Sequence, residues 1–466
     1  MSSLESTDVL IIGDGIAGCT TAITVQEAGA KVLIIDKAPA DVPHGNTAFS
    51  GGSFRRAGPE YPADRFYNDI LSLSGNRADP ELTRIVVDNS AQARDWLGAL
   101  GVPWTSPKRT AERANQADQR GFGLAASLRK AVRDHKIPVW NETEALKLIQ
   151  ENGKVVGVVI KDKRGQQRKI RAGAVVIATG GFGANTEMVK RYLGAGATNL
   201  VLRGSPYNTG DGLRMMEAVG VPLDWMGDFH GGLIHYGYRK YPAEGATKGM
   251  RSVKTYETCI LVNQEGKRFI DEGENTSDKT YAKFGKIIAL TQPDGVAYTI
   301  VDAKSRDRIE PMYYGPEKEP IEAATLEELA KKLNLPVAAF LKTIADFNAA
   351  VKDGKALSAT PPKSNFAEKI EQRPFFAHKV TGGFTFTFGG VRAKKTGEVL
   401  DKQKRAIPGL FAVGEIVTGI FYENYAGGSS LARCAVYGRI VGFQAAHYAV
   451  PSISVPSEIW KSTAAA

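Results

Sequence analysis

Cysteine is scarce in this 466-residue chain, which carries only Cys19, Cys259 and Cys434. An odd number without metal-like spacing supports neither a disulfide framework nor a zinc site, so no metal is expected. No C-x-x-C-H and no iron–sulfur spacing occurs, so electrons would have to leave or enter through another molecule. No stretch approaches eighteen uninterrupted apolar residues, which gives no expectation of a transmembrane segment. Residues 1–8 lack the basic start and apolar core of a secretory signal, and the expectation is a cytoplasmic protein. Acid is in deficit too: 60 Lys and Arg stand against 50 Asp and Glu. The basic residues are scattered as pairs and form no stripe with interleaved aromatics, so nucleic acid is not an expected partner. A general field that draws in anionic ligands and an ordinary solvated basic surface both account for the charge.

Glycine, by contrast, is plentiful: fifty residues, many in clusters, point to backbone brought against ligands in several places. Val9 to Ile12 reads as a buried strand, Gly13-Asp14-Gly15-Ile16-Ala17-Gly18 as a tight turn, and the apolar-periodic stretch to Ala28 as a helix. Lys31 to Ile35 reads as a second strand ending in Asp36 and Lys37, which completes the length and order of a βαβ unit. Gly13 permits the turn, Gly15 lets backbone approach a pyrophosphate, and Gly18 lets helix and strand pack closely. N–H groups at the helix start, around Ile16 and Ala17, are expected on the phosphates. Asp36 is expected on ribose hydroxyls, which argues against a 2′-phosphate and hence against NADP.

The length favours two domains. Pro80 to Leu100 is helical by its periodicity, and Val155 to Ile160 with Gln167 to Ile170 forms a hairpin around Asp162-Lys163-Arg164-Gly165. Ala174 to Ala178 is a further buried strand. From about Trp225 the texture turns tyrosine-rich and basic without βαβ alternation, through a helical stretch at Leu326 to Phe347 that contains Pro336. This reads as an inserted second domain. Near Phe375 the glycine-rich, strand-like texture returns, and Leu410 to Val413 leads into Gly414-Glu415.

The fingerprint alone does not separate FAD from NAD, but three further segments do. His44-Gly45-Asn46-Thr47-Ala48-Phe49-Ser50-Gly51-Gly52 is a polar glycine loop of the sort that wraps an isoalloxazine ring. Ala178-Thr179-Gly180-Gly181 ends a strand, and Gly414-Glu415 is followed by Asn424-Tyr425-Ala426-Gly427-Gly428-Ser429-Ser430-Leu431. This set resembles the flavoprotein superfamily of succinate dehydrogenase and fumarate reductase, which includes 3-ketosteroid dehydrogenases. Within it the chain looks most like tricarballylate dehydrogenase-like proteins, through Arg203 to Gly212 with Asn208 and Asp211, Gly266-Lys-Arg-Phe-Ile-Asp-Glu272, Thr280 to Gly285, and Asn424 to Gly428. The resemblance implies an α/β fold: a Rossmann-like FAD-binding domain split over residues 1–225 and 375–466, with an α+β capping domain inserted at 226–374. It also implies a substrate between cap and flavin, and Glu415 on ribityl or nearby hydroxyls.

Departures from fumarate reductase shape the expected chemistry. The resemblance places Ser277 where that subgroup has a proton-delivering arginine, Tyr425 where it has a carboxylate-clamping arginine, and Phe386 or Thr387 where it has a histidine. A tyrosine at 425 resembles the ketosteroid dehydrogenases, which implies that its hydroxyl and the N–H of Ser429 polarise a carbonyl while charge develops on oxygen. Tyr281 is the leading candidate for the base that takes the α-proton, with Tyr422 and Tyr256 as runners-up. His44 lies near the place of covalent flavin attachment in some relatives, but its spacing to Gly51-Gly52 is off by one, so FAD is expected to be non-covalent. His230, His235 and His378 fit structural roles, and Arg203 and Arg433 could meet either a substrate carboxylate or the FAD phosphates. The expected activity is desaturation alpha–beta to a ketone or carboxylate with an external electron acceptor. The alternatives are an ene-reductase with an external donor, or an electron-transferring flavoprotein subunit of a larger assembly.

Overall fold

The run Ser6–Ile12 forms strand β1, and Val9 to Ile12 are buried as a central strand of a parallel sheet requires. The computed structural model describes residues 6–106, 112–240, 253, 255–306, 308 and 319–457. Gly13, at φ +106°, turns the chain into helix α1, Ile16–Glu27, and β2, Val32–Ile35, returns parallel to β1 with Ile12 opposite Ile35. On its other side β1 pairs parallel with the strand Gln167–Ile177, Ile12 opposite Ile177. That strand pairs parallel in turn with Ala406–Ala412, Ile177 opposite Ala412. Four strands therefore end level. The segments that follow them emerge along one carboxyl edge, the place where open parallel sheets bind ligands.

Two stretches that read separately in the sequence, Gln167–Ile170 and Ala174–Ala178, are one continuous strand. Its first half is the antiparallel partner of Lys154–Lys161 and its second half the parallel partner of β1. Gly173 stands near this change of partner, where a Cβ would lie 2.9 Å from the Asp8 carbonyl. The C-terminal helix, Ser429–Ala449, lies tight against α1. A Cβ on Gly438 would come within 1.9 Å of Thr20 Oγ1, and one on Gly442 within 2.7 Å of Thr24 Cβ. No helix among the described residues is long and apolar enough to cross a membrane.

The chain divides into two units: Met1–Leu193 with Gly204–Phe229 and Phe386–Ala466, and Gly194–Arg203 with His230–Thr385. The second is built on the strand Phe375–Thr387. It pairs antiparallel with Ala297–Asp302 and Ile321–Ala323 and parallel with Val201–Leu202. The expected single helical stretch is two helices, Leu326–Lys332 and Val337–Ala350, because Pro336 has no N–H to continue the first and stands as the cap of the second. Leu329, Phe340, Ile344 and Phe347 from these helices fill the core against Ile260, Tyr298 and Ile300.

The Gly266 to Glu272 segment has a structural role in this unit. Gly266 turns at φ +74°, and Arg268 pairs with Glu272 at 2.5 Å with both side chains buried. Glu272 also accepts the Leu261 N–H at 2.7 Å, and Arg268 donates to the Pro362 carbonyl at 3.2 Å. Removing one member of such a pair strands the other charge. Glu272→Gln should cost about 3–5 kcal/mol in denaturant unfolding, and Arg268→Met/Glu272→Met should recover much of it. Equal losses in the single and double variants would show that charge pairing is not what stabilises this segment.

Candidate cofactor and active site

The level strand ends bring the glycine turn, Asp36 and the late glycine segments onto one edge of the first unit. The three glycines of the turn answer different constraints. A Cβ on Gly13 would lie 2.5 Å from the Ala178 carbonyl oxygen, and one on Gly18 only 1.8 Å from the Gly13 carbonyl oxygen, so both are demanded by packing. Gly15 is not: its φ of −65° suits any residue, and a Cβ there would meet only Thr47 Oγ1 at 3.5 Å. The space in front of Gly15 is room for something outside the chain, which fits the approach of a pyrophosphate. Thr47, in the short helix Gly45–Phe49, accepts the Ile16 N–H at 2.9 Å, so that N–H is turned to the protein. Ala17 and Gly18 follow it in the first turn, where helix geometry leaves N–H groups unpaired.

Asp36 accepts backbone N–H groups from Asp14 at 3.1 Å and Ala38 at 2.8 Å. Burial, and then the charge of Asp14, push its carboxyl up to about 6. Asp14 has the opposite balance. Burial would raise it, but the hydrogen bond to His44 and the Arg129 guanidinium outweigh that and hold it at about 2. Arg129, from the helix Arg120–Asp134, reaches Asp14 with Nε at 3.0 Å and Nη2 at 3.2 Å. His44 is buried with Nδ1 against the Val42 carbonyl at 2.7 Å and Nε2 against Asp14 at 2.9 Å. Burial disfavours its imidazolium, yet the bond to Asp14 raises its pKa overall. Asp14, Asp36 and His44 offer ligand atoms within 4.8 Å of one another, but the cation facing Asp14 is the Arg129 guanidinium.

Further along the edge Lys37 pairs with Asp211 and with the Thr209 hydroxyl. Gly51 and Gly52 follow the short helix, Gly52 at φ +66° against the backbone of Arg120. Glu415 is a buried carboxylate that gathers several segments. It accepts Asn46 Nδ2 at 2.7 Å, Asn208 Nδ2 at 3.3 Å, and the N–H and hydroxyl of Thr387 at 2.9 and 3.1 Å. Burial raises its pKa against these donors. Gly180 turns at φ +74° beside it, where a Cβ would lie 2.7 Å from Asn208 Oδ1, and Thr179 Oγ1 would meet a Cβ on Gly212. Gly414, at φ +86°, lies between Ala17 and Cys434.

Tyr425 lies among aromatic rings, with Phe421 at 5.3 Å and Phe386 at 5.4 Å, both edge-on. Its hydroxyl oxygen accepts the Gly428 N–H at 2.6 Å. The N–H of Ser429, expected beside that hydroxyl as a second donor to the substrate carbonyl, donates to the Ala426 carbonyl at 3.1 Å, closing the turn that opens the helix carrying Ser430 and Leu431. Sequence reading also missed Arg55. Fully buried, it donates Nε to the Gly427 carbonyl at 2.7 Å and Nη1 to Tyr61 at 3.0 Å, and Tyr61 donates to Asp69 at 2.6 Å. No local pattern marks Arg55 or Arg129. Asp14, an acid in the middle of the glycine turn, was the one legible signal.

Tyr422 meets Trp225 at 4.9 Å and accepts from Arg392 at 3.3 Å, and burial raises its pKa. In the second unit Tyr281 is half-buried with its ring edge-on to His230 at 4.8 Å. Tyr256 is fully buried, donates to the Ser277 carbonyl at 3.0 Å, and is pushed well above the usual tyrosine range by burial. It is therefore a poor base. His235 accepts the Gly237 N–H at 3.0 Å, and His378 is lowered to about 4 by burial and by His235. Arg203 donates to Thr385 at 2.9 Å.

The sequence profile described as FAD binding domain matches residues 8–431. The chain is 30% identical to a probable fumarate reductase, Ifc3, of Shewanella frigidimarina, over 96% of this chain and 76% of that protein. A urocanate reductase of Eggerthella lenta is 26% identical over 94% of this chain and 74% of its own length. Among solved structures, the open conformation of a flavocytochrome c3 fumarate reductase is similar with a TM-score of 0.75 and 29% identity, covering 96% of this chain and 79% of that one. The 3-ketosteroid delta1-dehydrogenase of Sterolibacterium denitrificans shares the fold with a TM-score of 0.79 at 20% identity, covering 95% and 99%. With a family match over nearly its whole length, this chain belongs to the FAD-binding-domain family of the succinate dehydrogenase and fumarate reductase superfamily, and is an FAD-dependent oxidoreductase acting on CH–CH groups.

Proposed function

We propose that the enzyme desaturates a carbon–carbon bond alpha–beta to a carbonyl, with Tyr425 holding the charge that develops on the carbonyl oxygen. The observation that carries this reading is the fixed hydroxyl of Tyr425, whose oxygen accepts the Gly428 N–H inside a wall of aromatic rings. A tyrosine hydroxyl both accepts and donates, so the oxygen that accepts the Gly428 N–H can also carry a donor role toward a substrate carbonyl. Fixed, and surrounded by apolar rings, it stabilises an enolate-like oxygen without reorganising. The Arg55 bond to Gly427 supports this loop from behind. FAD, when bound, supplies the acceptor for the hydride that leaves the β-carbon. Tyr281 is assigned as the group that removes the α-proton, a task for which a tyrosine near pKa ~10 needs activation by its neighbours. Reduction of an activated double bond by an external donor is a second reading, favoured by the reductase names of the relatives.

For the cofactor, we assign Gly15 to the pyrophosphate, Asp36 to the ribose hydroxyls and Glu415, with Asn46 and Asn208, to the ribityl region. Non-covalent attachment is supported by His44, whose two ring nitrogens both have protein partners.

Gly15→Val should leave the chain folded, because a side chain has room there, and yet abolish flavin retention. Absorbance at the flavin band beside far-ultraviolet circular dichroism measures both; a folded variant that stays yellow would move the pyrophosphate elsewhere. FAD affinity should depend on pH through Asp36. Its carboxyl in the free protein protonates near 6, and ribose hydroxyls donate to the ionised form. Binding should therefore strengthen as pH rises through 6, by at most about tenfold per unit, and level off above pH ~7. Fluorescence titration of apoprotein measures this, and in Asp36→Asn that step should vanish; the same step in the variant would exclude Asp36 as its source.

Tyr425→Phe should keep FAD and fold while slowing single-turnover flavin reduction by roughly 10² to 10³ with the true substrate, the usual loss for one oxyanion donor. The substrate is found by anaerobic flavin bleaching with ketosteroids, cyclic ketones and tricarboxylates side by side. In the same assay Tyr281→Phe should change the pH dependence of the rate as well as its size. Near-normal reduction in Tyr425→Phe would remove its donor role.

A further inference from the structure

Arg55 stands in the short strand Ser53–Arg55, fully buried, and holds two successive carbonyls of the loop behind Tyr425. Its backbone N–H donates to the Gly428 carbonyl at 3.1 Å, and its Nε donates to the Gly427 carbonyl at 2.7 Å. The Gly427 carbonyl and the Gly428 N–H belong to one peptide group, and that N–H donates to the Tyr425 hydroxyl oxygen at 2.6 Å. Gly428 turns at φ +87°, and a Cβ on it would lie 2.9 Å from both the Ser53 carbonyl oxygen and the Arg55 nitrogen. The peptide is therefore fixed between a guanidinium at its oxygen and a phenol at its nitrogen. Arg55 is held in turn: Nη1 donates to the Tyr61 hydroxyl at 3.0 Å, Tyr61 donates to Asp69 at 2.6 Å, and the Asp69 carboxylate lies 4.0 Å from Nη1. Burial raises the Tyr61 pKa, so its proton stays in place as the link between the two charges.

Amide resonance couples the two ends of a peptide group, so a cation at the carbonyl oxygen draws electron density from the nitrogen and makes the N–H a stronger donor. A phenol oxygen that accepts such a bond becomes a stronger O–H donor in its turn. Guanidinium, peptide and phenol are linked here with every donor pointing the same way, in a buried place where water does little to screen the effect. We infer that Arg55 is a positioning residue of the reaction: it polarises the Gly427–Gly428 peptide and through it strengthens the Tyr425 hydroxyl as a donor to the substrate carbonyl. Asp69 biases the same line the other way, since its negative charge draws on the guanidinium through Tyr61. The donor role of Tyr425 toward substrate rests on the function proposed above; the polarisation of the peptide bound to its oxygen does not.

The test uses the FAD-loaded enzyme with isotope-labelled glycine, in which the amide proton resonance of Gly428 reports the strength of its hydrogen bond. Arg55→Met should move that resonance upfield, and Asp69→Asn, which keeps an acceptor for Tyr61, should move it downfield. In single-turnover flavin reduction Arg55→Met should lose roughly tenfold, and it should cost little more in a Tyr425→Phe background, because it acts through that hydroxyl. Amide shifts of the same sign in both variants, or the full tenfold loss repeated in the Tyr425→Phe background, would overturn the inference and leave Arg55 as a packing residue. If Tyr425→Phe itself reduces flavin near-normally, the donor reading fails, and opposite amide shifts would still establish the polarised peptide. Should Arg55→Met fail to fold, Asp69→Asn decides: a downfield shift supports the inference, and an unmoved or upfield resonance overturns it.

Discussion

The common level at which β1, β2 and the strands Gln167–Ile177 and Ala406–Ala412 end is the constraint on which the cofactor edge depends. Parallel pairing fixes Ile12 opposite Ile35 and Ile177, and Ile177 opposite Ala412. Segments about 400 residues apart in sequence, from Gly13 to Glu415, thereby start from one line. A one-residue slip in any of these pairings would turn its side chains to the other face and move its loop along the edge. The register is secured by burial: Leu10, Ile34, Val175 and Leu410 are all fully buried.

Close backbone contact reinforces this register. Gly13 and Gly18 allow the turn, α1 and the Ala178 segment to approach at distances no Cβ would tolerate. Gly438 and Gly442 let the C-terminal helix settle on α1. That second contact matters for chemistry, since the same helix is entered through the loop Tyr425 to Gly428. The aromatic wall, the Gly428 N–H and the Arg55 support are thus tied to the same packing that shapes the glycine turn after β1.

Charge is arranged along this edge with unusual economy of acids. Asp14 and Asp36 are adjacent and mostly buried, and their environments push their pKa values apart, one to about 2 and the other to about 6. Arg129 and His44 decide which of the two remains firmly ionised. Asp36 is thereby left responsive to a ligand that donates hydrogen bonds, while Asp14 serves as internal counter-ion. Glu415 differs again, a raised carboxyl surrounded by amides and hydroxyls that have no charge of their own.

Local pattern in the sequence determined the strand, turn and helix of the dinucleotide fingerprint, Asp36 at the end of the second strand, the helix Pro80–Ala99 and the change of texture into an inserted region. These are legible because hydrophobic period, glycine and capping act over a few residues. The continuity of Gln167–Ile177 was not legible, since a strand that changes partners midway contains a break in texture without a break in structure. Nor was the bond from the Gly428 N–H to the Tyr425 hydroxyl, which depends on how the turn closed on the Ala426 carbonyl folds the chain back. Arg55 and Arg129 are ordinary arginines in sequence. Their roles come from the distant segments packed around them, because burial and partner geometry, not residue type, determine what a charge is worth.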